Sequence, residues 1–322
     1  MSGALLVTGG SGFIGGALLP LLQQAAPKRE LWLGGRHAPA VLPAGARHVP
    51  VDLAAAAIEL PPGVDTVLHL AGEKRDPACM PAVNADGAAR LVDAAADAGA
   101  RRFVHLSSVG VYGAPRHAGR VDEDFPHTPR GPYETSKDQG ERVVRERCAA
   151  LGLRCVVLQP SNVVGLVPGR GRPLLGLVRM VARGWFRHFG RRPAWVNYVA
   201  AEDVAAALVA AAVHTNADGV FIVNTPARLA AFVGWIADEL GLPPPTARLP
   251  YWLGASAAAA GALGRLLLRR DLPFSPERFG ELTNTTRYDG SALSGTLDFA
   301  YPLGIEAALR AMVRQYRLSG LV

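Results

Sequence analysis

The chain has 322 residues, 49% of them hydrophobic, which is enough for one large α/β unit or for a large domain with a smaller one. Its formal net charge of +7 indicates an anionic partner, because a positive surface field attracts phosphate groups. The arginines are scattered and form no nucleic-acid module. We therefore expect no nucleic-acid partner and favour a small phosphorylated molecule.

The three cysteines, Cys79, Cys148 and Cys155, lack the paired spacing of zinc sites and disulfide frameworks. This predicts free thiols, no metal site and a reducing compartment. No basic, hydrophobic leader precedes the first apolar run, Ala4–Val7, so we expect a cytoplasmic protein. The stretch Leu253–Leu268 is short for a bilayer span and contains an arginine. It predicts a packed helix and no integral membrane segment, with a peripheral membrane contact as the alternative.

Short apolar runs alternate with longer Ala/Leu-rich segments along the first two thirds of the chain. The short runs predict strands at Ala4–Thr8, Glu30–Gly34, His48–Asp52, Thr66–Ala71, Phe103–Ser107, Cys155–Gln159 and Val220–Asn224. The longer segments predict helices at Phe13–Gln24, Val83–Ala98 and Glu134–Leu151. Alternating strands and helices predict an α/β fold, a doubly wound parallel sheet covered on both faces.

Glycines stand at three places between the first strand and the first helix, in Thr8-Gly9-Gly10-Ser11-Gly12-Phe13-Ile14-Gly15. Gly9 would turn the chain, Gly12 would let the backbone approach a pyrophosphate, and Gly15 would pack the helix on the sheet. The amides of Phe13 and Ile14 would then face the anion at the helix start. The strand, turn and helix context predicts a Rossmann-like dinucleotide site.

The composition changes after the sixth predicted strand, where segments rich in Gly, Arg and Pro interrupt the alternation. We predict a dinucleotide-binding domain from 1–163 plus 196–224. The remainder, 164–195 plus 225–322, would be a smaller, mostly helical substrate-binding region.

Several further motifs follow in order and resemble the extended short-chain dehydrogenase/reductase superfamily, also called the NAD-dependent epimerase/dehydratase family. They are Asp52-Leu53, His69-Leu70-Ala71-Gly72, Asn84-Ala85-Asp86-Gly87, Ser107-Ser108-Val109-Gly110-Val111-Tyr112-Gly113, Tyr133-Glu134-Thr135-Ser136-Lys137, Gln159-Pro160-Ser161-Asn162-Val163-Val164-Gly165 and Glu202-Asp203-Val204-Ala205. The resemblance implies cofactor contacts at Asp52, Leu53, Leu70, Ala71, Asn84, Ser107, Tyr133, Lys137 and Pro160.

The resemblance also implies a catalytic set of Tyr133, Lys137 and Ser108. Tyr133 and Lys137 are four residues apart on a predicted helix and so share one face. A tyrosine with an ordinary pKa near 10 needs help to act as a base, and we expect the Lys137 ammonium to favour the phenolate. Ser108 would hydrogen-bond the substrate oxygen.

The end of the second strand carries an arginine, Arg36, and no carboxylate. A carboxylate there would accept from the ribose 2′-hydroxyl of NAD, whereas an arginine can pair with the 2′-phosphate of NADP. We therefore favour NADP over NAD. The alternative is that Arg36 is a solvated loop residue.

The residues after Ser108 narrow the reaction. Family dehydratases have an acidic pair there, whereas this chain has Val109 and Gly110, which cannot transfer a proton. We expect hydride transfer at a secondary carbinol or ketone carbon, by a nucleotide-sugar 4-epimerase or 4-ketoreductase. The alternative is a reductase or dehydrogenase of a non-nucleotide alcohol or ketone, and a non-enzymatic NADP(H) sensor is a remote third.

The substrate site departs from the pattern of nucleotide-sugar enzymes at one charge. Alignment on Asp203 puts Val196 where those enzymes have a pyrophosphate-binding arginine, and Arg191, Arg192 or Arg278 could replace it. We assign substrate contacts to Ser108, Ser161, Asn162 and Arg278. The family commonly dimerises through the helices predicted at Val83–Ala98 and Glu134–Leu151, so a homodimer is expected.

Overall fold

The computed structural model describes residues 3–166, 172–215, 217–268 and 275–322, with side chains as far as residue 264 in the third stretch. The strands of these residues, numbered in chain order, are β1 Ala4–Thr8, β2 Leu31–Gly35, β3 Ala46–Pro50, β4 Val64–His69, β5 Arg102–Leu106, β6 Arg120–Val121, β7 Arg154–Pro160, β8 Asn162–Val164, β9 His188–Phe189, β10 Trp195–Val196, β11 Tyr198–Ala200, β12 Gly219–Val223, β13 Ala227–Arg228, β14 Arg248–Leu249 and β15 Arg287–Tyr288.

The α-helices of the same residues are α1 Phe13–Ala25, α2 Gly87–Asp97, α3 Pro132–Leu151, α4 Leu175–Ala182, α5 Ala201–Val213, α6 Leu229–Glu239, α7 Tyr251–Leu268, α8 Pro276–Leu282, α9 Ser291–Leu297 and α10 Gly304–Leu318. A π-helix, Ala82–Asp86, precedes α2, and a 3-10 helix, Val109–Tyr112, follows β5. The helix predicted at Val83–Ala98 is therefore a π-helix continued by an α-helix.

Seven parallel strands form the main sheet in the order β12-β7-β5-β4-β1-β2-β3. From β1 the chain runs outward through β2 to β3, and then returns to β4 and runs the other way. The prediction of a doubly wound, Rossmann-like sheet is confirmed. The order reverses between β1 and β4, and such a switch point is where open α/β sheets bind ligands, at the carboxyl ends of the strands.

Alternate residues of β1 show how both faces of the sheet are covered. Leu5 and Val7 pack in a core shared with α1 and α5, whereas Leu6 packs in a second core with α2 and α3. Because successive side chains of a strand point to opposite faces, a central strand buried on both faces reads as a continuous apolar run.

The C-terminal region is mostly helical and has a core of its own, built from α4, α6 and α10 around Phe232 and Leu309. Helix α9 returns to β12, so that Leu293 and Leu297 belong to the core of the main sheet. The domain boundaries drawn from the sequence stay a prediction.

Candidate active site

The glycine turn lies at the carboxyl end of β1, beside the switch point. Gly9 has a φ of +73°, and a Cβ there would lie 2.6 Å from the backbone nitrogen of Ala71. A Cβ on Gly12 would lie 2.9 Å from the Gly9 carbonyl oxygen. A Cβ on Gly15 would overlap the Gly10 carbonyl, so this glycine packs α1 against the turn itself. Only glycines allow this close, left-handed turn.

The first turn of α1 carries no acidic side chain. The amides of Phe13 and Ile14 lie there, where a helix leaves its N–H groups without intrahelical acceptors. Together with the helix dipole, these amides favour an anionic group such as a pyrophosphate. The turn thus fits a dinucleotide.

The carboxyl ends of β2 and β3 lie beside this turn. Arg36 is exposed just after β2, and Asp52 is exposed just after β3, where its Oδ1 accepts from the Ala54 amide at 3.0 Å. A Cβ on Gly34 would lie 3.0 Å from a methyl group of Val51, so the two strands pack closely at that glycine. Leu53 is buried.

The segment after β4, which contains Leu70 and Ala71, is held by the buried Asn84 of the π-helix. Its Oδ1 accepts from the Glu73 amide at 2.7 Å, and its Nδ2 donates to the Glu73 carbonyl at 2.7 Å and to the Ser136 hydroxyl at 2.9 Å. Asn84 therefore positions the loop after β4 against α3. Its predicted contact with the cofactor stays a prediction.

Tyr133 and Lys137 lie one turn apart at the start of α3. Lys137 is buried, and its Nζ donates to the carbonyl of Leu106 at 2.6 Å, at the end of β5. Burial lowers the pKa of Lys137 to about 8, and the Glu141 carboxylate acts in the opposite direction. Burial and the Glu134 carboxylate raise the pKa of Tyr133.

This shift is opposite to the one expected from the sequence. Desolvation of the phenolate is the larger of the two causes that raise the pKa of Tyr133. Lys137 instead directs its charge at the end of β5. In the absence of a further positive charge, the phenol therefore retains its proton.

Two serines at the carboxyl end of β5 differ in their hydrogen bonding. Ser108 caps the 3-10 helix, its Oγ accepting from the Gly110 amide at 3.1 Å. That bond leaves the hydroxyl proton of Ser108 to donate elsewhere. Ser107 is buried, and its Oγ has no hydrogen-bond partner among the described residues. A buried orphan hydroxyl at the carboxyl end of β5, next to β4 in the sheet, fits a site where a cofactor supplies the partner.

Beneath the Tyr/Lys pair lies a buried polar chain that sequence reasoning missed. Tyr112 donates to Gln159 Oε1 at 2.6 Å, and Gln159 Nε2 donates to the Glu141 carboxylate at 2.9 and 3.1 Å. Gln159 stands where the family usually has arginine. The Glu141 carboxylate also interacts electrostatically with Lys137 and partly opposes the lowering of its pKa by burial.

A second buried group lies on neighbouring strands. His69 of β4 and His105 of β5 are in register, with ring centroids 5.4 Å apart. Burial and the charge of Lys137 lower the pKa of His69 to about 3 and that of His105 well below its usual range. His69 Nδ1 is hydrogen-bonded to the Thr8 hydroxyl at 2.7 Å, whereas neither ring nitrogen of His105 has a partner among the described residues.

The segment after β7 contains the predicted substrate contacts Ser161 and Asn162. Ser161 is buried and donates to Asn224 Oδ1 at 2.7 Å, which joins β7 to the end of β12. Asn162 is exposed, and its Nδ2 donates to the Asn197 carbonyl at 3.2 Å. Pro160 is buried at the end of β7. Of these residues, Asn162 has the accessible side chain.

An arginine-lined cavity of about 280 Å³ lies between β9, β10, β13 and β14. Arg192, Arg228 and Arg248 line it, and none of its described lining residues is acidic. The antiparallel pairing of β10 with β13 sets Val196 opposite Ala227, so Arg228 is the next residue along the partner strand. Arg228 also stacks on Trp195, its Cζ 4.0 Å from the ring centroid.

The structure thereby separates the three arginines that were candidates to replace a charge at Val196. Arg192 lines the cavity, whereas Arg191 and Arg278 are exposed residues outside its lining. No sequence signal marks Arg228 or Arg248, because only strand pairing brings Arg228 next to Val196 and Arg248 opposite His188.

The described part of the chain contains no group of three or more His, Cys, Asp or Glu side chains placed to hold a metal ion. None of its described helices is both long enough and apolar enough to cross a bilayer. The cytoplasmic location expected from the sequence stays a prediction.

The sheet, the glycine turn and the Tyr/Lys pair define an enzyme of the nicotinamide-dependent type. The sequence profile of the NAD dependent epimerase/dehydratase family matches residues 5–224. The chain belongs to this family, as its motifs predicted.

Individual relatives are consistent with that placement. A UDP-glucose 4-epimerase of Azospirillum brasilense is 30% identical over 246 residues, which cover 67% of this chain and 70% of the relative. A 3 beta-hydroxysteroid dehydrogenase/Delta 5-->4-isomerase of Mycobacterium tuberculosis is 29% identical over 235 residues, 67% of this chain and 62% of the relative. The solved structure of MoeE5 in complex with UDP-glucose and NAD is 25% identical, with a TM-score of 0.67, and covers 98% of this chain and 99% of that one.

Proposed function

We propose that the protein is an NAD(P)-dependent 4-epimerase or 4-ketoreductase that acts on a nucleotide sugar. The observation that carries the proposal is the cavity lined by Arg192, Arg228 and Arg248. Three arginine residues with no acidic residue in the described lining favour a doubly charged diphosphate. These arginines would replace the pyrophosphate-binding arginine of nucleotide-sugar enzymes, whose place in β10 is taken by Val196.

The chain connects this cavity to the reacting end of the site. Strand β10 ends at Val196, and the next residue, Asn197, accepts from the Asn162 amide. A substrate that lies along this segment would place its diphosphate among the arginines and its sugar toward Asn162. Relatives named as UDP-glucose 4-epimerases support the same substrate class.

Three side chains would handle the substrate oxygen and its proton. The bound nicotinamide supplies the hydride donor or acceptor. Tyr133, a phenol with a raised pKa, would donate a proton to the carbonyl oxygen during reduction and recover it during oxidation. Ser108 would hold the same oxygen with its free proton, and Lys137 would keep positive charge near the end of β5.

We also propose that NADP is preferred over NAD. Arg36 is exposed at the end of β2, on the side of the sheet that carries the glycine turn. A guanidinium there would pair with a 2′-phosphate, and no carboxylate stands at the strand end to repel it.

The substrate proposal is tested by binding UDP, UDP-glucose and uridine to the protein loaded with NADP. We expect UDP and UDP-glucose to raise the melting temperature, and uridine to have little effect, because only the first two carry a diphosphate. Arg228→Ala should weaken UDP by about tenfold to a hundredfold, the order of one charge-assisted hydrogen bond.

The matched control is Arg191→Ala, which removes the same charge one residue from Arg192 but outside the cavity lining. It should bind UDP like the wild type. If UDP fails to stabilise the wild type, or if both variants lose UDP equally, the diphosphate site is wrong. The alternative, a reductase of a non-nucleotide ketone, would then be favoured.

A further inference from the structure

Helix α7 begins with large apolar side chains that lie in solvent. Trp252 is 65% exposed, Tyr251 51% and Leu253 39%. Trp185, on the segment that leads into β9, is 64% exposed. Isolated exposed apolar residues are common, but consecutive aromatic and aliphatic side chains at one helix start indicate an interaction surface.

The two stretches of sequence that contain Trp185 and the start of α7 are rich in arginine. Residues 165–201 contain seven arginines and residues 240–270 contain four, and neither stretch contains an Asp or Glu. The whole chain has a formal net charge of only +7. The rest of the chain therefore has more acidic than basic side chains, and helix α8, which packs against α7, adds Glu277 and Glu281 beside Arg278.

The fold brings described parts of the two acid-free stretches together. Strand β9 pairs with β14, which sets His188 beside Arg248 immediately before α7. A Cβ on Gly190 would lie 3.5 Å from the Cβ of Tyr251, and Gly254 packs against the ring of Phe189. We call this region the α7 surface and define it by its exposed residues Arg183, Trp185, Tyr251, Trp252 and Leu253.

We propose that the α7 surface docks on an anionic lipid bilayer. Trp and Tyr side chains belong at the boundary between headgroups and acyl chains, where their rings are apolar and their N–H or O–H groups remain hydrated. Arginines beside them attract lipid phosphates. In this proposal α7 lies in the plane of the interface.

The charge on the α7 surface distinguishes a membrane from a second copy of the chain. A copy would present the same arginines to each other across a two-fold axis, which repels, whereas an anionic bilayer complements them. The inference rests on this surface alone and holds whichever substrate the active site accepts.

The test is flotation of the full-length protein with phosphatidylcholine vesicles that contain or lack phosphatidylglycerol. We expect binding only with phosphatidylglycerol, and weaker binding as salt rises, because salt screens the attraction. Trp252→Ser should reduce binding about tenfold by removing one inserting aromatic side chain. Arg183→Ala should weaken binding several-fold by removing one charge.

Two matched controls should bind like the wild type. Leu318→Ser changes a side chain that is 77% exposed at the end of α10, and Arg154→Ala removes a charge from the first residue of β7. Melting temperatures of all four variants check that they are folded. The proposal is overturned if the wild type does not bind the vesicles or if Trp252→Ser binds them as the wild type does. It is also overturned if light scattering shows that the wild type dimerises through this surface and that Trp252→Ser only converts the dimer to a monomer.

Discussion

At the scale of single residues, the site depends on what burial does to Tyr133 and Lys137. Desolvation disfavours the charged form of each group, so it raises the pKa of the phenol and lowers that of the ammonium. Near neutral pH the phenol is protonated and the ammonium is still largely charged. The pair therefore holds one transferable proton at the carboxyl end of β5.

Tyr133→Phe tests this role directly. The ring stays and only the proton-bearing oxygen is lost, so we expect kcat to fall by about 10²- to 10⁴-fold while cofactor binding survives. Steady-state kinetics and fluorescence titration of the nicotinamide measure the two effects. Turnover like that of the wild type would remove Tyr133 from the mechanism.

Arg36→Ala tests cofactor choice. Loss of a guanidinium–phosphate bond should weaken NADPH by about tenfold to a hundredfold and leave NADH almost unchanged, because only NADPH has the 2′-phosphate. Nicotinamide fluorescence titration gives both affinities. Equal affinity of the wild type for the two cofactors would make Arg36 a solvated loop residue.

At the scale of elements, the turn between β1 and α1 needs glycine at Gly9, whereas the first turns of α1 tolerate alanine at Gly16. Gly9→Ala forces a Cβ into a left-handed residue 2.6 Å from the backbone of Ala71, and should cost more than about 1–2 kcal/mol together with cofactor binding. Gly16→Ala, on the exposed face of α1 with nothing within 4 Å, should stabilise by up to about 1 kcal/mol. Denaturant unfolding measures the free energy of unfolding of both variants. Equal changes in the two variants would contradict the different roles of these glycines.

The His69 and His105 pair on β4 and β5 makes stability depend on pH. Both rings have a lowered pKa in the folded protein, so the unfolded chain binds more protons than the folded chain as pH falls below 6.5. The contribution of the two neutral rings to the free energy of unfolding is fully present above pH 6.5. For His69 it is lost progressively as the pH falls from 6.5 to about 3. Each group contributes at most about 1.4 kcal/mol per pH unit.

His105→Leu should therefore reduce the loss of unfolding free energy between pH 7 and pH 5, as measured with urea. Since both ring nitrogens of His105 lack partners in the described structure, leucine should also cost little at pH 7. Replacing the exposed His37 by leucine is the control and should leave the pH dependence unchanged. An equal acid loss in His105→Leu and the wild type would exclude the buried ring as a cause.

Much of this architecture follows from local patterns, and the remainder follows from pairing between distant segments. Buried strands and the Gly9 turn have a signal within a few residues, so β1 and α1 begin where the sequence predicts. The π-helix around Asn84 and the position of Arg228 have none. Both depend on contacts made after folding, namely Asn84 with the loop after β4 and β13 with β10.

At the scale of the whole molecule, the expected homodimer would form through α2 and α3. These helices pack against each other on one face of the sheet, and α3 turns exposed residues such as Arg142 and Glu146 outward. Light scattering at micromolar concentration should give twice the monomer mass of 33.9 kDa. A monomeric mass at this concentration would contradict the prediction. If the protein is a dimer, charge reversal at Arg142 should dissociate it.

In the proposed reaction the chain moves a hydride at C4 of a sugar held by its diphosphate, and Tyr133 moves the proton. The most direct measurement is to incubate the protein and added NADP and NAD with UDP-glucose, and to follow sugar NMR signals and nicotinamide absorbance together. We expect UDP-galactose, or a 4-keto sugar with stoichiometric reduction of the cofactor, and neither with Tyr133→Phe. The proposed reaction would be contradicted if UDP-glucose stayed unchanged while the same preparation reduced a nucleotide-free ketone with NADPH.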